Sequence, residues 1–98
     1  MRRLRWTLRA KEDLLRIARF IAADNPAAAV RWIATLRKRA RSAADLPRAG
    51  RRVPELRRDD IREVIVRNYR IVYRAADTGI LVLVVFEGHR QLPRDIDE

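Results

Sequence analysis

The chain has 98 residues, 48% of them hydrophobic, and a formal net charge of +10 set by 21 arginines and two lysines against 13 acidic residues. That length holds one domain with one modest core, and the apolar share argues against a disordered polyelectrolyte. With no cysteine and a lone histidine, His89, disulfides and thiolate chemistry are excluded and structural zinc lacks ligands, so no metal or organic cofactor is expected.

The opening residues MRRLRWTLRA have no apolar run behind their arginines and do not form a signal peptide. Residues 2–7 alternate about Leu4 and Trp6, which predicts a short first strand. Thr7 then suits the N-cap of a helix, and Ala10, Leu14, Ile17 and Ile21 recur at helical spacing up to Asp24. Asn25 and Pro26 form a second start, an N-cap followed by a proline where its missing N–H costs nothing. The second helix runs to about Ala44 and buries Ala29, Ile33, Leu36 and Ala40. So short a link requires an antiparallel helical hairpin.

LPRAGRRVPE, residues 46–55, is a loop. Three strands follow, IREVIVR, NYRIVYRA and ILVLVVFE, with ADTG at 76–79 turning between the last two. ILVLVVF is far short of the roughly 20 residues a membrane helix needs, and it is apolar on both faces, which puts it inside a sheet. A soluble cytoplasmic protein with no membrane partner is the expectation. The tail, residues 91–98, has no periodicity and is expected to be partly ordered at best.

The order β-α-α-β-β-β predicts an α+β fold in one domain spanning 1–98, with the hairpin on one face of a mainly antiparallel four-stranded sheet. Strand alternation sends Tyr69, Ile71 and Tyr73 to one face and Arg70, Val72 and Arg74 to the other. Arg62 shares a face with Val64 and Val66, and Glu63 with Ile65. The single core is expected to join Leu14, Ile17, Ile21, Ile33 and Leu36 to Ile71, Tyr73, Val82 and Val84, leaving the other sheet face partly basic. Arg70 stands out, because a mid-strand arginine is costly to order without a partner. The net charge points to a polyanionic partner, whether nucleic acid, a ribonucleoprotein or an acidic protein segment, since self-repulsion gives a small domain no stability. The bland alternative is arginine bias spread over a solvated surface.

REVIVRNYRIVYRAADTGILVLVVFEGHRQLP resembles the C-terminal half of the RelE/ParE toxin superfamily of type II toxin–antitoxin systems. The shared features are an aromatic-Arg pair opening a strand, an apolar last strand, and Gly-x-Arg. AKEDLLRIARFIAADNPAAA resembles the Ala-x-x-Asp-Leu helix of ParE-type members with its Pro-started successor, and PRAGRRVPELR resembles their Pro-x-x-Gly-Arg-x-x-Pro-Glu loop. The resemblance implies a toxin bound by a ParD- or RelB-like antitoxin in a hetero-oligomer. It leaves three functions open: a gyrase poison of the ParE type, a RelE-like ribosome-dependent messenger RNA endoribonuclease, or a basic nucleic-acid-binding module or inactive paralogue. In a ribonuclease, Arg70 and Arg90 would supply transition-state charge, with His89 as acid and Glu63 as base. Yet no aromatic residue follows Phe86, and Glu63, Ile65 and Val66 stand where that branch would have lysines. The ParE-like reading is therefore favoured. Candidates for the surface facing target or antitoxin are Arg62, Arg67, Arg70, Arg74, Arg90 and Trp32.

Overall fold

Thr7 is the joint between the first strand and the first helix. β1 (Arg3–Trp6) ends beside it and α1 (Leu8–Ala22) begins after it. Its hydroxyl accepts from the Ala10 N–H and donates to the Leu83 carbonyl, both at 3.0 Å, while its own N–H donates to the Val82 carbonyl at 3.0 Å. One residue thus caps the helix and pins it to a strand 76 positions away. The Asn25 side chain accepts from Ala28 N–H at 3.1 Å, and Pro26 opens α2 (Pro26–Asp45). The buried face of α2 is mostly alanine, at Ala29, Ala40, Ala43 and Ala44 around Leu36, so it can lie close to its neighbours. The computed structural model describes residues 1–94 and 96.

The remaining elements are β2 (Arg51–Arg52), β3 (Ile61–Val66), β4 (Tyr69–Ala76) and β5 (Gly79–Glu87). They form with β1 one sheet in the order β1-β5-β4-β3-β2, in which β1 runs parallel to β5 and the other pairs are antiparallel. The α+β class and the element order agree with the sequence, but the sheet has five strands in place of the expected four. The extra strand, Arg51–Arg52 against Glu63 and Arg62, is too short to show a period. Gly79 has φ +144, and a Cβ there would come within 1.9 Å of the Arg3 carbonyl, so β1 can dock only over a glycine.

An irregularity in β5 rearranges its faces. Val72 pairs with Val84 and Tyr73 with Val82, which leaves Leu83 without a partner on β4. Ile80, Val82 and Val85 consequently meet the helices, together with Ile71, Tyr73, Leu14, Ile17 and Leu36. Val84 does not, contrary to expectation: it lies with Leu83 on the outer face. Ile21 and Ile33 are only half-buried against the helix-side core. Nor is that core alone. Val53, Ile61, Val72, Leu83, Val84, Phe86 and Ile96 form a second one on the outer face, with Leu56, Leu81 and Leu92 against it. Ile96, in the tail, is 3% exposed; Asp95, Asp97 and Glu98, also within the stretch expected to be partly ordered, lie outside the described residues.

Candidate functional site

Arg70, the second residue of β4, is 7% exposed and held by carboxylates through all three guanidinium nitrogens. Its Nε donates to Glu63 at 2.7 Å, and Nη1 and Nη2 donate to the two Glu55 oxygens at 2.9 and 2.8 Å. The second Glu63 oxygen accepts from Arg51 Nε at 2.6 Å. The guanidinium lies 5.0 Å from the Phe86 ring centroid, and the aliphatic stem runs past Gly88, where a Cβ would stand 3.5 Å from Cγ. Hydrogen bonding from Arg70 holds the Glu55 carboxyl down at about 2, and the same bond pushes the Arg70 pKa further up. Two carboxylates and two arginines thus close a network in which every Glu55 and Glu63 oxygen has a cationic donor.

Of the candidates named from sequence, only Glu63 and Arg70 meet in this network. His89 is exposed in the loop after β5, and Arg90 beside it lies 3.4 Å from the Glu87 carboxylate. Arg62 braces the 46–50 segment, donating to the carbonyls of Arg48, Gly50 and Asp59 at 3.2, 3.0 and 2.9 Å. Next to it the Tyr73 hydroxyl donates to the Pro47 carbonyl at 3.0 Å. Gly50 leaves room for that hydroxyl, which a Cβ would meet at 2.2 Å. Burial pushes the Tyr73 pKa up. Arg67 occupies the β3–β4 turn with φ 56, and its guanidinium sits 5.2 Å from the Trp32 ring. Trp32 also meets Tyr69 at 5.8 Å, and its buried indole Nε1 has no hydrogen-bond partner among the described residues. Arg74 lies away from these groups, across β5 from β1.

Sequence reasoning missed Arg51, Glu55 and Asp13. Asp13 is buried on α1, with one oxygen accepting from the Val85 N–H at 2.8 Å and the other from Arg16 at 2.9 Å. It satisfies a β5 amide beyond the end of β1 pairing. The signals were the acidic residues in the Ala-x-x-Asp-Leu and Pro-Glu motifs, whose partners only the fold supplies. Between α1 and β5 lies an open groove of about 660 Å³, lined by Ile17, Phe20, Tyr69, Arg9, Arg16 and Arg90 among others. Phe20 in it is 78% exposed.

A family model described as "ParE toxin of type II toxin-antitoxin system, parDE" matches residues 4–92. The chain belongs to the ParE toxin family. It is also 34% identical over 95 residues to "Putative toxin Y4kP" of Sinorhizobium fredii (strain NBRC 101917 / NGR234), with 95% of each chain covered. A solved structure, "Chromosomal ParDE TA system from P. aeruginosa", aligns with a TM-score of 0.72 at 18% identity, over 89% of this chain and 96% of that one. At that identity the likeness speaks for the fold alone. Membership of the ParE family makes the chain a toxin of a type II toxin–antitoxin system and implies an antitoxin partner. Among the described residues no helix is long and apolar enough to cross a membrane.

Proposed function

We propose that this ParE toxin stops growth by trapping DNA gyrase on cleaved DNA, and that its cognate antitoxin neutralises it in the cytoplasm. The observation that carries the reading is the occupation of Arg70 and Glu63 by one another and by Glu55 and Arg51. RNA cleavage through the 2′-OH requires a base free to take a proton and a cation free to meet the phosphorane-like transition state. Glu63 is buried with both oxygens accepting from guanidinium groups, and Arg70 has turned its donors inward. His89 and Arg90 stand on an exposed loop, with no aromatic residue after Phe86. A gyrase poison needs no such set, only a charged surface able to engage an enzyme already holding DNA.

The groove between α1 and β5 supports the antitoxin half of the proposal. Its apolar floor and its arginines Arg9, Arg16 and Arg90 complement an acidic amphipathic segment, seated as a helix in the groove or as an added strand. Charge of this sign speeds encounter and makes it salt-sensitive.

Brief expression of the toxin, with messenger RNA integrity and DNA breakage followed together, tests the target. The expected outcome is a DNA-damage response with intact transcripts, a stalled gyrase–DNA complex in the purified system, and rescue by the antitoxin. Codon-phased cleavage of ribosome-bound messages, abolished by His89→Ala, would sink the proposal.

A further inference from the structure

The unpaired Leu83 also turns the backbone of β5 where that strand lines the groove beside α1. Along a strand, the N–H and C=O of successive residues point to opposite neighbours. The carbonyls of Val82 and Leu83 both point toward β1, where Thr7 bonds them, and the alternation resumes one residue out of step. Gly88 N–H donates to the Asn68 carbonyl, in the turn before β4, at 2.6 Å. Val84, Phe86 and Gly88 therefore address β4. Val85 and Glu87 address the other side, where β1 pairing has already ended at Val82 and the groove of about 660 Å³ opens.

Four backbone groups thus face the groove. Asp13 takes the Val85 N–H at 2.8 Å, and Arg90 N–H donates to the Glu87 carbonyl at 3.0 Å. The other two, the Val85 carbonyl and the Glu87 N–H, have no hydrogen-bond partner among the described residues. Val85 is 2% exposed, and a buried backbone group left without a partner is uncommon. The two groups flank Phe86, and at that spacing they form one half of a β-bridge.

A parallel segment satisfies both with a single residue, whose N–H donates to Val85 and whose carbonyl accepts from Glu87. An antiparallel segment needs two residues. Each would also aim a second group at the Val85 N–H or the Glu87 carbonyl, which Asp13 and Arg90 already hold. A helix offers neither bond, because its backbone groups are spent within it.

We propose that an extended segment of the antitoxin adds to β5 here, as a parallel bridge opposite Phe86 that continues the line of β1. The inference rests on the reading that the antitoxin occupies this groove, and it makes the occupant of this end a strand. Val85 faces the helix-side core, so the residues on either side of the bridge point toward Ile17 and Phe20 and are apolar. The net charge of +10, with Arg16 and Arg90 in the groove lining, favours acidic residues in the rest of the segment.

The test is solution NMR on the isotope-labelled full-length chain, free and in complex with its cognate antitoxin. The Glu87 amide is expected to exchange at least about tenfold more slowly in the complex, while the Val85 amide, already held by Asp13, changes little. Scalar couplings across the hydrogen bonds are expected to link the Glu87 nitrogen to an antitoxin carbonyl, and the amide of that same antitoxin residue to the Val85 carbonyl. Couplings to two different antitoxin residues would mean an antiparallel strand and overturn the proposal. Perturbed Ile17 and Phe20 signals with helical antitoxin shifts and no couplings would overturn the bridge and keep the groove reading. A complex that leaves Ile17 and Phe20 unperturbed would overturn both. Slow Glu87 exchange that appears in the free chain as its concentration rises would assign this edge to a second copy and overturn the antitoxin strand.

Discussion

A buried arginine on a strand is an expensive residue, and Arg70 shows how its cost is met. Burying the guanidinium requires partners for its donors, and Glu55 and Glu63 supply them at 2.7–2.9 Å. The arrangement has a pH signature. Glu55 titrates at about 2 against an ordinary 4.5, so its contribution to stability is fully present above pH 4.5 and is lost as pH falls toward 2. Glu55 is 42% exposed at its side chain, and solvent screens part of this effect. Glu55→Gln is expected to flatten the acid limb of the unfolding profile between pH 4.5 and 2, measured as melting temperature against pH. Acid limbs that stay parallel in the variant and the parent would show that the pair contributes nothing to folding.

The elements are joined by side chains that repair strand ends. β1 pairs with β5 only as far as Val82, and beyond that point Asp13 from α1 takes the Val85 N–H at 2.8 Å. Removing the carboxylate leaves a buried donor unsatisfied, at about 1–3 kcal/mol. Asp13→Ala is therefore expected to destabilise the fold by that amount and to speed hydrogen exchange at the Val85 amide more than at amides of the β3–β4 ladder. Protection at Val85 that survives the substitution would show that some other acceptor takes over. This bond also fixes how α1 sits on the sheet, and with it the width of the groove proposed for the antitoxin.

For the whole molecule, the decisive feature is that the sheet is buried on both faces. The helical hairpin covers one face, and the 53–56 segment with Leu92 and Ile96 covers the other. Ile96 is 3% exposed, so a residue of the tail helps to close a core. Ile96→Ala is expected to cost about 2 kcal/mol, the lower end for a buried aliphatic truncation. For a domain of this size that lowers the melting temperature by about 8–16 °C. A melting temperature unchanged by Ile96→Ala would mean that the outer-face core closes without the tail.

Much of the architecture was legible in the residues. Thr7, Asn25 and Pro26 mark helix starts because capping acts over three or four positions, and apolar spacing separates the hairpin from the strands. The family was legible for the same reason, in short motifs spread along the chain. What the residues did not reveal depends on pairings far apart in the chain. Val84 alternates correctly on paper, but the unpaired Leu83 reverses the part of β5 that follows it, at the point where Thr7 bonds the Val82 and Leu83 carbonyls. Asp13 and Val85 are 72 positions apart, and Arg70 meets Glu55 across 15, so neither Asp13 nor Glu55 announced its task. Arg70, which the ribonuclease reading would set to work with Arg90, is held by Glu55 and Glu63, while Arg90 lies beside Glu87. Local rules fix which backbone states a segment prefers, whereas only the packed sheet decides which charges are neutralised and which are left facing solvent.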